Sequence, residues 1–113
     1  MKLIVNGCAG RMGRALSKLI LADETLELVG GLEPAGSAAL GHDLGSLTGQ
    51  DACGIVATDD ALELMRQADG VIDFTVPEAS VQLAGLAAQA RNVHIIGTTG
   101  FNAEQAAQIE AAA

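Results

Sequence analysis

The residues Gly7-Cys8-Ala9-Gly10-Arg11-Met12-Gly13 follow the short apolar run at residues 3–5 and lead directly into a helical pattern at residues 14–21. A glycine-rich turn between a buried strand and a helix lets the backbone approach a ligand closely. The first amides of the helix and the positive end of its dipole then face that ligand. Residues 7–13 therefore predict a phosphate-binding loop.

An acidic residue lies where a dinucleotide-binding fold requires one. Glu33 ends the second predicted strand, about 20 residues beyond Gly13, where a carboxylate accepts hydrogen bonds from the adenosine ribose. The loop has the spacing G-x-x-G-x-x-G, with Ala9 in place of the second glycine of the commonest fingerprint. The alternative is that Gly7 and Gly13 serve only helix packing and that Glu33 is a solvated strand end. The order of the elements favours a dinucleotide cofactor.

Five apolar runs of strand length alternate with helical patterns. The strands are expected at residues 3–5, 26–32, 55–57, 71–74 and 93–96. Helices are expected at 11–21, at 59–68 with Thr58 or Asp59 as N-cap, at 77–90, and from Asn102 to the end of the chain. Residues 34–54 predict an irregular connection, with a helical turn possible at 37–40. This alternation predicts an α/β fold of Rossmann type, a doubly wound and mostly parallel sheet of about five strands.

Charge and composition exclude several classes of protein. The net charge is −8, yet Lys2, Arg11, Arg14 and Lys18 place most of the cations ahead of all fourteen acidic residues. Nucleic-acid binding is not expected from this balance. Arg11 is interpreted as a contact to cofactor phosphate, whereas Arg14 and Lys18 are interpreted as a solvated helix face. No segment predicts a signal peptide or a membrane span, so we expect a cytoplasmic protein. Both cysteines are expected to be free thiols.

Two further segments lie at predicted strand ends. They are residues 74–77, Phe-Thr-Val-Pro, and residues 97–101, Gly-Thr-Thr-Gly-Phe. The carboxyl edge of an open parallel sheet is its ligand-binding edge, so both segments are expected near the nicotinamide. Asp73 is assigned to hydrogen bonds with loop amides rather than to catalysis. His94 is expected toward the opposite end of the sheet, and neither histidine predicts a metal site or an acid-base role.

Together, the loop at residues 7–13, Glu33 and the segments at 74–77 and 97–101 resemble the 4-hydroxy-tetrahydrodipicolinate reductase family, also called dihydrodipicolinate reductase. The sequences G-R-M-G and I-G-T-T-G-F carry most of the resemblance, which covers essentially the whole chain. The family reduces a cyclic dicarboxylate by hydride transfer from NADH or NADPH, in lysine and diaminopimelate biosynthesis. The resemblance implies that residues 1–113 are an incomplete dinucleotide-binding domain and that a substrate and tetramerisation domain lies outside them.

The resemblance also implies roles for individual residues. Gly7, Cys8, Ala9, Gly10, Arg11 and Met12 would hold the diphosphate and the adenosine side. Glu33 would hold the ribose, while Gly97, Thr98 and Thr99 would hold the nicotinamide side, with Thr99 also near substrate. Pro34 stands where some members have an arginine for the adenosine 2′-phosphate, which favours NADH, although Arg11 could partly replace that cation.

The family's paired histidines, lysine and D-A-P-S-G-T motif have no counterpart in this sequence, so residues 1–113 alone are expected to be inactive. The full-length parent is expected to be a homotetramer. Two other functions remain open from the residues. One is a stand-alone dinucleotide-sensing module without catalysis. The other is an adenosyl-methionine methyltransferase, against which Arg11 and the two threonines argue.

Overall fold

The computed structural model describes residues 1–73, 77–96 and 103–112. Its strands are β1 (Lys2–Asn6), β2 (Glu27–Leu32), β3 (Ala57–Thr58), β4 (Gly70–Asp73) and β5 (Val93–Ile96). Its helices are α1 (Arg11–Ala22), α2 (Leu44–Leu47), α3 (Ala61–Gln67), α4 (Pro77–Ala90) and α5 (Ala103–Ala112).

The five strands form one parallel sheet in the order β3-β2-β1-β4-β5. The chain therefore winds outward from β1 to β3 and then crosses back to β4 on the other side of β1. The carboxyl ends of β1 and β4 flank this reversal, which is where open parallel sheets bind ligands. The predicted fold class is confirmed.

Alternating residues of β1 place a separate core on each face of the sheet. Leu3 and Val5 are buried with Ile20 of α1 and Leu44 of α2. Ile4 is buried on the opposite face with residues of α3 and α4, including Met65. Because successive side chains of a strand point to opposite faces, a three-residue apolar run is enough to fill both layers.

The connection at residues 34–54 is irregular, as predicted, but it also contains the short helix α2. Asp43 caps this helix by accepting from the Ser46 amide at 3.0 Å. The same carboxylate accepts from the amides of Cys53 and Gly54. The Asp43 side chain therefore accepts from amides on both sides of the loop between α2 and β3, and so holds this loop closed. Local sequence patterns do not reveal such a contact, because Asp43 and Cys53 are ten residues apart.

Two predicted boundaries are wrong. The third strand is Ala57–Thr58 rather than residues 55–57, because Val56 forms an isolated antiparallel bridge with Asp43. The N-cap of α3 is Asp60, whose carboxylate accepts from the Glu63 amide at 3.2 Å. Thr58 instead accepts from the Asp60 amide. Thr58, Asp59 and Asp60 all precede this helix and all have side chains that can cap it. Asp60 is the N-cap because its carboxylate lies three residues before the Glu63 amide that it accepts from.

Candidate functional site

The glycine loop is held against the end of β2 by backbone hydrogen bonds. The amides of Gly7 and Cys8 both donate to the Leu32 carbonyl, at 2.8 and 3.3 Å. Gly7 has φ +77°, a left-handed conformation that favours glycine. These two amides are therefore already used within the fold.

The first turn of α1 supplies the amides that remain available to a ligand. Gly10 is the N-cap and makes no side-chain capping bond. Within the described residues, no acceptor is found for the amides of Arg11 and Met12, and both residues are exposed at the loop. Unpaired donors at a helix start, together with the helix dipole, are suited to an anionic group.

Gly13 allows the helix to start this close to the loop. A Cβ atom at position 13 would overlap the Gly7 carbonyl oxygen and would lie 2.8 Å from the Cα of Cys8. Both neighbours are backbone atoms, so neither can rotate away. The third glycine of the motif is therefore required by packing, while the first is required by its backbone conformation.

Glu33 lies directly after β2 and is tied to the loop. Its Oε1 accepts from the Ala9 amide at 2.7 Å, and its own amide donates to the Thr58 carbonyl at 3.0 Å. The carboxylate is thus placed beside the loop by β2 and β3 together. A carboxylate has about four acceptor positions, so the bond to Ala9 leaves capacity for ribose hydroxyls.

Cys8 points into the core rather than toward the exposed side of the loop. It is 1% exposed, and its side chain fills the space beside Gly31. Burial, with a smaller contribution from the Glu33 carboxylate, raises the pKa of the Cys8 thiol to about 12. The side chain is therefore a neutral space-filler at physiological pH. Its predicted role as a cofactor contact stays a prediction, because its side chain faces the core and its amide already donates to the Leu32 carbonyl.

Arg14 lies on the exposed face of α1, as predicted, and its side chain also bonds back to the glycine loop. Its Nε donates to the Ala9 carbonyl at 2.8 Å. The side chain also lines an open groove of about 360 Å³ with Ala9, Ser37, Ala38, Ala39, His42 and Leu47. The bond reaches back five residues to the loop, a spacing that helix periodicity does not predict.

Three polar side chains connect the strands that flank the reversal of the sheet. Asn6 of β1 donates from Nδ2 to Asp73 Oδ1 at 3.1 Å, and His94 Nε2 of β5 lies 2.9 Å from Asp73 Oδ2. Asp73 is fully buried. Among the described residues, no hydrogen-bond partner is found for the buried Nδ1 of His94, which favours the tautomer with the proton on Nε2.

The expectation that His94 lies toward the opposite end of the sheet holds for its backbone but not for its side chain. The backbone of His94 pairs with Val71, but its side chain reaches diagonally to Asp73 at the carboxyl end of β4. The sequence signal was available, because His94 is a polar residue within an otherwise apolar strand. Its partner became visible only once the register between β4 and β5 was known.

The remaining predicted site residues lie outside the described residues. These are Gly97, Thr98 and Thr99, together with residues 74–76 and the predicted helix start at Asn102. β5 ends at Ile96, which pairs with Asp73 at the carboxyl end of β4. The roles predicted for the three nicotinamide-side residues stay predictions.

In the described part of the chain, no group of three or more His, Cys, Asp or Glu side chains could hold a metal ion. Both cysteines are free thiols, as predicted. None of the helices in residues 1–73, 77–96 and 103–112 has the length and apolarity needed to cross a membrane.

Comparison with known proteins identifies the family. The family profile described as dihydrodipicolinate reductase, N-terminus, matches residues 1–113. The chain belongs to this family. It is 54% identical over its whole length to the 4-hydroxy-tetrahydrodipicolinate reductase of Parvibaculum lavamentivorans, and 52% identical to that of Brucella abortus. It spans 42% of the length of each of these dihydrodipicolinate reductases.

Solved structures agree on the fold. A dipicolinate-bound dihydrodipicolinate reductase from Paenisporosarcina matches with a TM-score of 0.75 and 23% identity, over 99% of this chain and 42% of that one. An amine dehydrogenase from Mycobacterium smegmatis matches with a TM-score of 0.77 and 21% identity, over 100% of this chain and 36% of that one. At these identities the likeness concerns the fold alone.

Proposed function

We propose that residues 1–113 bind NAD(P)H as the nucleotide-binding part of a reductase that acts on a cyclic dicarboxylate in lysine and diaminopimelate biosynthesis. The observation that supports the proposal most strongly is the direct contact between the glycine loop and Glu33. The Ala9 amide of the glycine loop bonds to the Glu33 carboxylate at 2.7 Å. A loop for phosphate and an acid for ribose are therefore adjacent in a single surface.

The residues at this surface fit a dinucleotide. The unpaired amides of Arg11 and Met12 would hold the diphosphate, and Glu33 would hold the adenosine ribose hydroxyls. The absence of a side chain at Gly13 keeps these amides close to the loop. When bound, the cofactor supplies the hydride, and this part of the protein supplies its orientation and a fixed electrostatic environment.

Gly97, Thr98 and Thr99 would border the nicotinamide, since they come directly after Ile96 in the sequence and β5 ends there, paired with the carboxyl end of β4. Proton donation and most substrate contacts are proposed to come from the substrate domain of a full-length homotetramer. Residues 1–113 by themselves are therefore expected to bind cofactor without turnover. Membership of the chain in the reductase family supports this function over that of a dinucleotide-sensing module or a methyltransferase.

NADH is the preferred cofactor in this proposal. Glu33 favours a ribose with a free 2′-hydroxyl, because its carboxylate accepts hydrogen bonds and repels a 2′-phosphate. Pro34, directly after Glu33, has neither a positive charge nor a hydrogen-bond donor that could bind a 2′-phosphate. A cytoplasmic location and the absence of nucleic-acid partners are proposed from the net charge of −8 and the family.

Calorimetric titration of the 113-residue protein with NADH tests the proposal. Glu33→Gln keeps an acceptor for the Ala9 amide but removes the charge and one acceptor oxygen. We expect it to weaken NADH binding about tenfold. Glu27→Gln, at the exposed start of the same strand, is the matched control and should bind as the wild type does. Failure of the folded wild type to bind NADH, or equal affinity in both variants, would contradict the proposal.

A further inference from the structure

A row of buried polar side chains lies at the carboxyl ends of three neighbouring strands. Asn6 and Asp73 each come two residues after Ile4 and Val71, which belong to the core shared with α3 and α4, so both face that side of the sheet. Asn6 donates to Asp73 at 3.1 Å, and His94 donates to it from β5 at 2.9 Å. Only 9% of the His94 side chain is exposed. The row therefore connects β1, β4 and β5.

The strand order indicates which part of a dinucleotide lies beside this row. In the proposed function the adenosine ribose is held after β2 and the diphosphate after β1. β4 and β5 come next in the order of the sheet, each about 4.8 Å from its neighbour. A dinucleotide that extends in the same direction therefore places its nicotinamide half over the carboxyl ends of β4 and β5.

β5 is an edge strand that its apolar side chains do not hold in place. It has four residues, and within the described part of the chain it pairs with β4 alone. Val93 and Ile95 are 54% and 48% exposed. A shift of β5 by two residues would keep every side chain on its own face and would move the end of the strand by about 6.6 Å. Polar contacts are therefore needed to fix where β5 ends.

Asn92 and His94 supply such contacts. Asn92 holds the start of β5 by donating to the Met65 carbonyl at 3.0 Å. His94 holds the carboxyl half of the strand by donating to Asp73. A shift of β5 would take the His94 donor away from a fully buried carboxylate, which is costly. The contact between His94 and Asp73 therefore fixes the end of β5 against β4.

We propose that His94 is a positioning residue for the nicotinamide half of the cofactor, and that it acts through Asp73. The proposal rests on the proposed function and deepens it. A site that buried hydrogen bonds hold in shape does not have to order itself when the ligand binds. The glycine loop has separate bonds to Leu32 and Glu33, so the adenosine half of the site does not depend on His94.

Titration with NADH and with ADP-ribose, which lacks the nicotinamide ring, tests this assignment. His94→Ala should weaken NADH binding about tenfold and ADP-ribose binding less than twofold, because only NADH carries the ring that lies over β4 and β5. The fluorescence of bound NADH reports the surroundings of the ring. Its enhancement at saturation should be smaller in His94→Ala than in wild type.

Two amide variants separate the donor from the rest of the side chain. The amide nitrogen in His94→Gln is as many bonds from the backbone as Nε2, which bonds to Asp73. The amide nitrogen in His94→Asn matches Nδ1 instead. We therefore expect His94→Gln to recover most of the NADH affinity and His94→Asn to recover little. This comparison decides the matter if His94→Ala does not fold.

Leu28→Val removes one methylene from the buried core near the start of β2 and controls for lost stability alone. It should leave the ratio of the NADH and ADP-ribose affinities unchanged. An unchanged ratio in His94→Ala would overturn the proposal, because His94 would then only stabilise the fold. Equal recovery by the two amide variants, or equal affinity of wild type for NADH and ADP-ribose, would also overturn it. If the folded wild type binds neither ligand, the proposed function itself fails.

Discussion

The imidazole Nε2 of His94 lies 2.9 Å from the fully buried carboxylate of Asp73, and this contact joins the edge strand β5 to β4. The same carboxylate accepts from Asn6, the residue before the glycine loop. A chain of hydrogen bonds therefore runs across three strands and centres on the carboxyl end of β4. Buried polar groups of this kind depend on one another, because each is costly when a partner is removed.

His94→Ala should lower the free energy of unfolding by about 2 kcal/mol, since a buried carboxylate loses a hydrogen-bond partner. Urea denaturation measures the change. The other histidine is the control: His42 is exposed, and His42→Ala should stay within about 0.5 kcal/mol of wild type. Equal stability of the two variants would mean that the contact between His94 and Asp73 does not stabilise the fold.

Gly13→Ala should lower the free energy of unfolding by about 3 kcal/mol, because the added methyl group overlaps the Gly7 carbonyl. Chemical denaturation followed by circular dichroism measures this. Gly85→Ala in α4 is the matched control, since no described atom outside the adjacent backbone of that helix lies within 4 Å of its added Cβ. It should raise stability by about 0.5–1 kcal/mol through helix propensity. A Gly13→Ala variant as stable as wild type would refute the close approach of α1 to the loop.

We expect the contribution of Asp43 to the free energy of unfolding to depend on pH. The amide of Ser46, and then those of Cys53 and Gly54, hold the pKa of the Asp43 carboxyl below its ordinary value. Its contribution is therefore present above the unfolded pKa of about 3.9 and is lost as the pH falls through the lower folded pKa.

Asp43→Asn should accordingly lower the melting temperature at about pH 7, and the difference from wild type should narrow as the pH is lowered below about 4. Asp51→Asn, which changes an exposed carboxylate in the same connection, serves as the control and should produce no such pattern. Differential scanning calorimetry at several pH values distinguishes the two. A difference in melting temperature between Asp43→Asn and wild type that stays constant below about pH 4 would contradict the stabilising role of the Asp43 carboxylate.

The two thiols should differ in their rate of alkylation. Cys8 is buried and its pKa is raised to about 12, whereas Cys53 is partly exposed. Because the thiolate is the reactive form, iodoacetamide should modify Cys53 in the folded protein and Cys8 only after unfolding. Mass spectrometry of Cys8→Ser and Cys53→Ser follows each thiol alone. Equal rates in the folded variants would show that Cys8 is accessible.

Much of the fold follows from local patterns in the sequence. The apolar run at residues 3–5, the glycine loop and the helical pattern after it specify a strand-turn-helix unit, and the structure places that unit at the centre of the sheet. The position of Glu33 was also predictable, because the lengths of α1 and β2 determine how many residues separate the glycine loop from the end of β2. These features depend on neighbouring residues, so their spacing along the chain is sufficient evidence.

Other features depend on contacts between residues far apart in the chain. Asp43 organises residues 46–54, His94 reaches Asp73, and Arg14 bonds to Ala9 rather than facing solvent alone. These partners were not predicted, because a polar side chain can bond to any of several groups and local sequence patterns do not indicate which one.

The sequence by itself determined the parallel α/β architecture, the glycine loop between β1 and α1 and the position of the acidic residue after β2, because hydrophobic period and glycine spacing are local properties. Only the tertiary structure decided which loop amides remain free, where the guanidinium of Arg14 lies and which buried groups pair across the strands. Those choices depend on strand register and on the close approach of helices to the sheet, which are settled when the whole chain packs.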